Sequence, residues 1–244
     1  AYLTDIAPLD AAGVLMIGHA HMGGFGSIEG VAAAKAEIIA GLLPEGTAVL
    51  NADDARAAAM AELAPARVLT FSAQGRQADL RAENVNLDAA ARAAFDLHLP
   101  GLAEPRRVQL AVAGAHNVSN ALAAAGLALA AGLDPELVAD RLGSVSIESP
   151  HRMDVSELGG DLLLIDDSYN ANIDSMTAAL AVLPALAGGR RRVVVISEML
   201  ELGESSAADH ARTGELAAQA GAAMLIGIGS TQEALEAARA RGVE

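Results

Sequence analysis

Asp166-Asp167-Ser168-Tyr169-Asn170-Ala171-Asn172 follows the apolar stretch LLLI and packs two acids, a hydroxyl, a phenol and two carboxamides into seven residues. Ligands of open α/β sheets bind beyond the carboxyl ends of the strands, where such groups could hydrogen-bond a ribose or a polar substrate. Asp and Asn also make turns, and Asp174 is expected to N-cap the following helix. Seven polar or small residues exceed what a turn requires. Ser197-Glu198-Met199-Leu200-Glu201 ends a second apolar run, VVVI, and puts another acid, Glu198, at a strand end. His116-Asn117-x-x-Asn120 opens an otherwise apolar helical stretch. Asn117 and Asn120 share one helix face, and their carboxamides offer the paired donor and acceptor that suit a purine edge. His19-x-His21, in a Gly-rich segment, could ligate a metal, although a bare pair is a weak signal.

Lys35 is the single lysine among 16 Lys and Arg residues. An arginine stays protonated, whereas a lysine amine can lose its proton and become a nucleophile or a modification site. Helical spacing from an expected Ser27 N-cap sets Lys35 in the same stripe as Ile28, Val31, Ile38, Ile39 and Leu42. On position alone the plain expectation is an apolar stem with its ammonium in water.

The elements that must hold these groups alternate. Val14–Ile17, Thr47–Asn51 and Val68–Phe71 read as buried strands, with the Lys35 helix after the first. Between about 76 and 113 the pattern becomes antiparallel β. A long helix from Asn117 should end with Gly132 at C′, and Asp134-Pro135-Glu136 should start the next. After a linker over Ser146–Pro150, Leu162–Ile165, Val193–Ile196 and Met224–Ile228 read as short buried strands. Helices near 175–187, 206–220 and 231–241 alternate with them, which predicts a parallel, Rossmann-like sheet. Arg190-Arg191-Arg192 is expected to cap a helix end.

A net charge of −15 disfavours nucleic acid as an electrostatic partner. Zero cysteines exclude disulfides and thiolate metal sites and suit a cytoplasmic protein. No long uncharged apolar run predicts a membrane span. A monomer is expected. Both ends read as interrupted elements, so a fragment is expected. No G-x-x-x-x-G-K-[ST] loop occurs, and one lysine admits no second copy.

Taken in order, IGHAHMGGFGSIEGVAAAKAEI, VLNADD, GAHNVSNALAAAGLALAAGL, HRMDV, IDDSYNANIDSM and EMLELGESSAADH resemble the Mur ligases of cell-wall synthesis over nearly the whole chain. DDSYNAN with EMLELG resembles the branch that adds D-alanyl-D-alanine to UDP-N-acetylmuramoyl-tripeptide. The resemblance implies an α/β protein. Residues 1–149 would form the P-loop-type central ATP-binding domain, a mixed sheet with a β appendage, lacking its P-loop strand and loop. Residues 150–244 would form a Rossmann-like C-terminal ligase domain, truncated at its end. It implies an ATP-dependent amide ligase working through an acyl phosphate, with ATP and Mg²⁺ as cofactors and small-molecule substrates as partners. By the same resemblance Lys35 is carbamylated and serves catalysis and the metal together with His21. Asn117 and Asn120 meet adenine, and Arg152 and Asp167 meet the nucleotide's phosphate and ribose. Ser168, Tyr169, Asn170, Asn172 and Glu198 are substrate candidates. Met16, Gly24, Ile173 and Ser197 depart from the family's Asn, acid, Pro and Gly. Another amide ligase of the superfamily, such as a folylpolyglutamate synthase, and an inactive fragment or scaffold stay open as alternatives.

Overall fold

The computed structural model describes residues 2–18, 22–146 and 149–244. In chain order the elements are α1 (Tyr2–Ile6), β1 (Leu9–Val14), α2 (Met22–Phe25), α3 (Ile28–Ala40), β2 (Leu42–Asn51), α4 (Ala55–Ala59), β3 (Arg67–Ser72), β4 (Leu80–Leu87), β5 (Arg92–His98), β6 (Arg106–Ala113), α5 (Asn117–Ala130), α6 (Pro135–Leu142), β7 (Asp154–Gly159), β8 (Leu162–Asp166), α7 (Ile173–Ala187), β9 (Val193–Ser197), α8 (Ser206–Gln219), β10 (Met224–Ile228) and α9 (Gln232–Arg239). They fall into two compact units, one holding most of the chain up to Ser146 and the other most of the chain from Ile147 to Glu244.

In the first unit, β1 to β6 form one sheet in sequence order. β1, β2, β3 and β4 pair in parallel, and β4, β5 and β6 in antiparallel fashion. The antiparallel region expected after residue 76 is thus continuous with the parallel part, joined through Phe71 opposite Leu80 and Ser72 opposite Arg81. β1 ends at Val14, earlier than its apolar run suggested, and residues 15–18 leave the ladder. β2 buries Thr47 to Asn51 in succession, the run expected of a strand covered on both faces.

Helix α5 packs on this sheet through small residues. A Cβ on Gly126 would lie 2.7 Å from Val49 Cγ1, so only glycine lets the helix come this near β2. Leu122 is completely buried in the same core as Phe71, Leu80, Phe95 and Leu97, and each such side chain contributes about 1.5–3 kcal/mol on leaving water. The helix ends as expected. Gly132, at φ +85, donates to the Leu129 carbonyl at 2.9 Å, and Leu133 reaches the Ala128 carbonyl at 3.0 Å, a Schellman closure. Asp134 then caps α6 through the Glu136 and Leu137 amides.

The second unit departs from expectation at its start. β8 does not pair with β9 or β10; it forms an antiparallel hairpin with β7. Gly159, Gly160 and Asp161 all take positive φ, which allows the tight reversal between them. Leu162 and Leu164 are exposed, so β8 is not the buried strand that its composition suggested. β9 and β10 do pair in parallel, with α8 between them in sequence, and bury Val194, Ile196 and Leu225 with Leu216 and Ala217 of α8 and Ala234 and Ala238 of α9. Helix α7 is N-capped by Asn172, not by Asp174: the Asn172 side chain accepts from Ser175 N while the Ser175 hydroxyl meets the Asn172 backbone. Asp174 sits one position inside the helix, in its first turn. Of the three arginines, Arg192 donates to the Ala220 carbonyl at the end of α8, and Arg190 instead pairs with Glu157 and Asp161 of the hairpin.

Candidate active site

The turn leaving β1 is held from three sides. Asn51, the last residue of β2, donates from Nδ2 to the Leu15 carbonyl at 2.7 Å. Lys35 Nζ donates to the Met16 carbonyl at 2.8 Å. Asp54 Oδ2 accepts from the Ile17 amide at 2.6 Å, while Oδ1 caps α4 through the Arg56 and Ala57 amides. Asp53 turns the other way, accepting from Ser72 Oγ at 2.7 Å and Ala73 N at 2.8 Å. The segment Asn51-Ala52-Asp53-Asp54 therefore fastens the carboxyl ends of β1, β2 and β3 together, the edge where α/β sheets bind ligands. Asn51, Asp53 and Asp54 were not singled out as individual positions in the sequence. Two adjacent acids directly after a buried strand were the available signal.

Lys35 is exposed, at the margin of the face that buries Val31 and Ile39, and Ser27 caps its helix through the Gly30 amide at 3.1 Å. As an ammonium it is a donor and no metal ligand. Its contact is to backbone, so the Met16 side chain, itself 46% exposed, is free to vary without breaking it. His19 and His21 lie outside the described residues. Among the described residues no group of three or more His, Cys, Asp or Glu converges to hold a metal. The donor set here fits a hard cation only if Lys35 gains a carboxylate.

At the start of α5, neither asparagine is a cap. Asn117 Nδ2 donates to the Ala113 carbonyl at 2.7 Å, and Asn120 Nδ2 donates to Asn117 Oδ1 at 2.9 Å. This relay fixes both carboxamides and leaves the Asn120 oxygen and a second proton on each amide for a ligand. Gly114, at φ +108, precedes the relay; a Cβ there would lie 2.5 Å from His116 Cε1.

In the second unit, residues 151–153 lie along residues 166–169. His151 Nδ1 meets Asp166 Oδ2 at 2.7 Å, the Tyr169 amide donates to the His151 carbonyl at 3.1 Å, and the Met153 amide donates to Asp167 Oδ1 at 3.0 Å. Ser168 donates to Asp166 Oδ1 from its amide at 3.0 Å and its hydroxyl at 2.7 Å. His151, followed by the Ser168 groups, lowers the Asp166 carboxyl from 3.8 to about 2. The Arg152 guanidinium stands 4.2 Å over the Tyr169 ring centroid. His151 and Met153 adopt φ of 60° and 49°, the left-handed region that non-glycine residues seldom occupy. Of this assembly, Asp166 belongs to the polar run legible in the sequence, whereas His151 and the Arg152–Tyr169 stack do not, because spacing does not show which loop lies beside which.

Glu198 follows β9, and its amide donates to the Ile228 carbonyl at 3.1 Å, extending the β9–β10 ladder. The next residue, Met199, donates its amide to His210 Nε2 at 3.0 Å, and His210 Nδ1 lies 2.8 Å from the Ser206 carbonyl. The buried imidazole is thus the Nδ1–H tautomer, accepting at Nε2, and it fixes the turn that carries Glu198. His210 was also missed. Ile173 occupies the first position of α7, where a proline or a good helix former serves equally, and Ser197 has no positive φ that would require glycine. A Cβ on Gly24 would meet nothing within 4 Å.

Against known proteins, the Mur ligase middle domain matches residues 1–128, and the Mur ligase glutamate ligase domain matches residues 151–243. The chain belongs to the Mur ligase family. This Mur ligase chain is 43% identical to the UDP-N-acetylmuramoyl-tripeptide--D-alanyl-D-alanine ligase of Mycobacterium tuberculosis, over 94% of its own length and 45% of that protein's. It is 36% identical to the enzyme of the same name from Escherichia coli, over 99% of its own length and 52% of the relative's. A crystal structure of MurF from Acinetobacter baumannii superposes with a TM-score of 0.85 at 34% identity, covering 97% of this chain and 50% of that one. The chain spans about half the length of the curated relatives it matches. The expected α/β class, with its mixed sheet and following βαβ unit, is that of the family.

Proposed function

We propose that the protein carrying these residues is an ATP-dependent amide ligase that joins D-alanyl-D-alanine to UDP-N-acetylmuramoyl-tripeptide. The observation that carries the reading is the 43% identity, over 94% of the chain, to a ligase of that name. In this reaction a phosphoryl group passes from ATP to the tripeptide carboxylate, and the dipeptide amine then displaces phosphate, forming the amide and losing a proton. Positioning and charge neutralisation supply most of the catalysis in such transfers.

The chain's own residues take these parts. Lys35, once carbamylated, would gain a carboxylate while keeping one N–H for the Met16 carbonyl, and with His21 it would hold Mg²⁺. The metal would neutralise phosphate charge. The Asn117–Asn120 relay presents a fixed donor and acceptor edge to adenine. Arg152 meets phosphate and Asp167 ribose. Ser168, Tyr169, Asn170, Asn172 and Glu198 serve the substrates. Ser168 and Asn172 already act as turn and cap, so a substrate contact would be additional. The reading makes this a cytoplasmic monomer that builds peptidoglycan precursor, with small molecules and no nucleic acid or membrane insertion among its partners.

The test is phosphate release by the complete gene product given UDP-muramoyl-tripeptide, ATP, Mg²⁺ and D-alanyl-D-alanine. Release that depends on the dipeptide supports the proposal, and release indifferent to it, or none, overturns it.

A further inference from the structure

Tyr169 is 62% exposed, so burial does not account for an aromatic ring at this position. Its one aromatic contact is with Arg152, whose guanidinium carbon lies 4.2 Å from the ring centroid, well inside the range of a cation–π attraction. Among the described residues no carboxylate pairs with Arg152. A guanidinium stacked on a ring by one face keeps the N–H donors of its edge for an oxyanion, and Arg152, exposed and 4.2 Å over the ring centroid, is placed for such an arrangement. The backbone around it is fixed independently of the ring. The Tyr169 amide is bound to the His151 carbonyl, the Met153 amide to Asp167, and His151 to Asp166. Arg152 is therefore carried on a backbone held by these bonds, with its guanidinium over the Tyr169 ring.

We infer that Tyr169 is a positioning residue, whose ring holds the Arg152 guanidinium edge-on to a phosphate. The inference rests on the ligase reading for the identity of that anion, and it assigns Tyr169 a role through its ring instead of a hydroxyl contact with substrate. The two roles make opposite demands on Phe.

The experiment compares Tyr169→Phe, Tyr169→Leu, Arg152→Ala and the Tyr169→Leu/Arg152→Ala double variant in the complete gene product. Because the backbone bonds do not involve the ring, the Leu variant keeps them. Losing an exposed cation–π contact should lower kcat/KM for ATP about two- to fivefold in Tyr169→Leu. Phe should restore most of that loss, and Leu should add nothing once Arg152 is Ala. In parallel, the side-chain Nε–H resonance of Arg152 should carry a ring-current shift in the wild type and the Phe variant, and lose it in the Leu variant. A Phe variant no better than Leu overturns the inference in favour of the hydroxyl. An unchanged Arg152 resonance in the Leu variant overturns the stack itself. A preserved ring-current shift with an Arg152→Ala variant of wild-type kcat/KM shows that the phosphate reading of Arg152 has failed while the stack stands, and this removes the positioning role.

Discussion

The Asp54 carboxylate binds the Ile17 amide at 2.6 Å across 37 residues of sequence, while its other oxygen caps α4. One side chain thereby sets both the exit of β1 and the start of a helix after β2. Asp54→Ala should cost about 1 kcal/mol for the lost cap and about 1 kcal/mol more for the part-buried Ile17 N–H left without its acceptor. Asp54→Asn, with one oxygen instead of two, should recover about half. Urea unfolding of the three proteins checks both values, and an Ala variant within error of wild type would contradict the geometry.

Lys35 separates function from stability. Its bond to Met16 is exposed, so Lys35→Ala should cost at most about 1 kcal/mol of stability. Turnover should fall by about 10²-fold or more, the scale of losing a preorganised charge at a reacting phosphoryl group. A short carboxylic acid should restore part of the rate to the Ala variant. Wild-type turnover in Lys35→Ala would eliminate the carbamate role.

Much of this frame could be read from the sequence, and the limits have physical causes. The cap at Ser27, the Gly132 closure and the Asp134-Pro135-Glu136 restart are local signals whose partners lie within a few residues, and all three formed as expected. LLLI is apolar enough for a buried parallel strand, yet the Gly159-Gly160-Asp161 turn in front of it folds β8 back on β7 as a hairpin. Asp174 lost the cap to Asn172 because Ser175 completes a reciprocal pair with Asn172. Asp54 with Ile17, His151 with Asp166 and His210 with Met199 join residues 11 to 37 positions apart. No periodicity encodes such pairs; only the fold brings them together.

Helices α8 and α9 meet at Gly214. A Cβ there would stand 2.0 Å from the Ala234 carbonyl oxygen, a backbone atom that can yield only if α9 shifts. Despite the better helix propensity of alanine, Gly214→Ala should destabilise the second unit by about 1–3 kcal/mol. Thermal unfolding checks the sign, and a stabilised variant would refute the close approach.

Acid should loosen the β8 exit. The Asp166 carboxyl is lowered to about 2 in the folded protein from 3.8, so its bonds to His151 and Ser168 contribute stability that is present above pH 3.8. That contribution is lost as the pH falls from there through about 2. In Asp166→Asn this part of the acid dependence should be absent. Unfolding midpoints of the two proteins between pH 5 and 2 should converge toward the acid end, and a constant gap would contradict the assignment.

The most direct test of the ligase account is the mass of the product. The complete gene product, given ATP, Mg²⁺ and UDP-muramoyl-tripeptide, should be offered D-alanyl-D-alanine, D-glutamate or L-alanine in separate reactions. The account predicts the UDP-muramoyl-pentapeptide mass with the dipeptide alone. Addition of a single amino acid, or no addition with any amine, would contradict it.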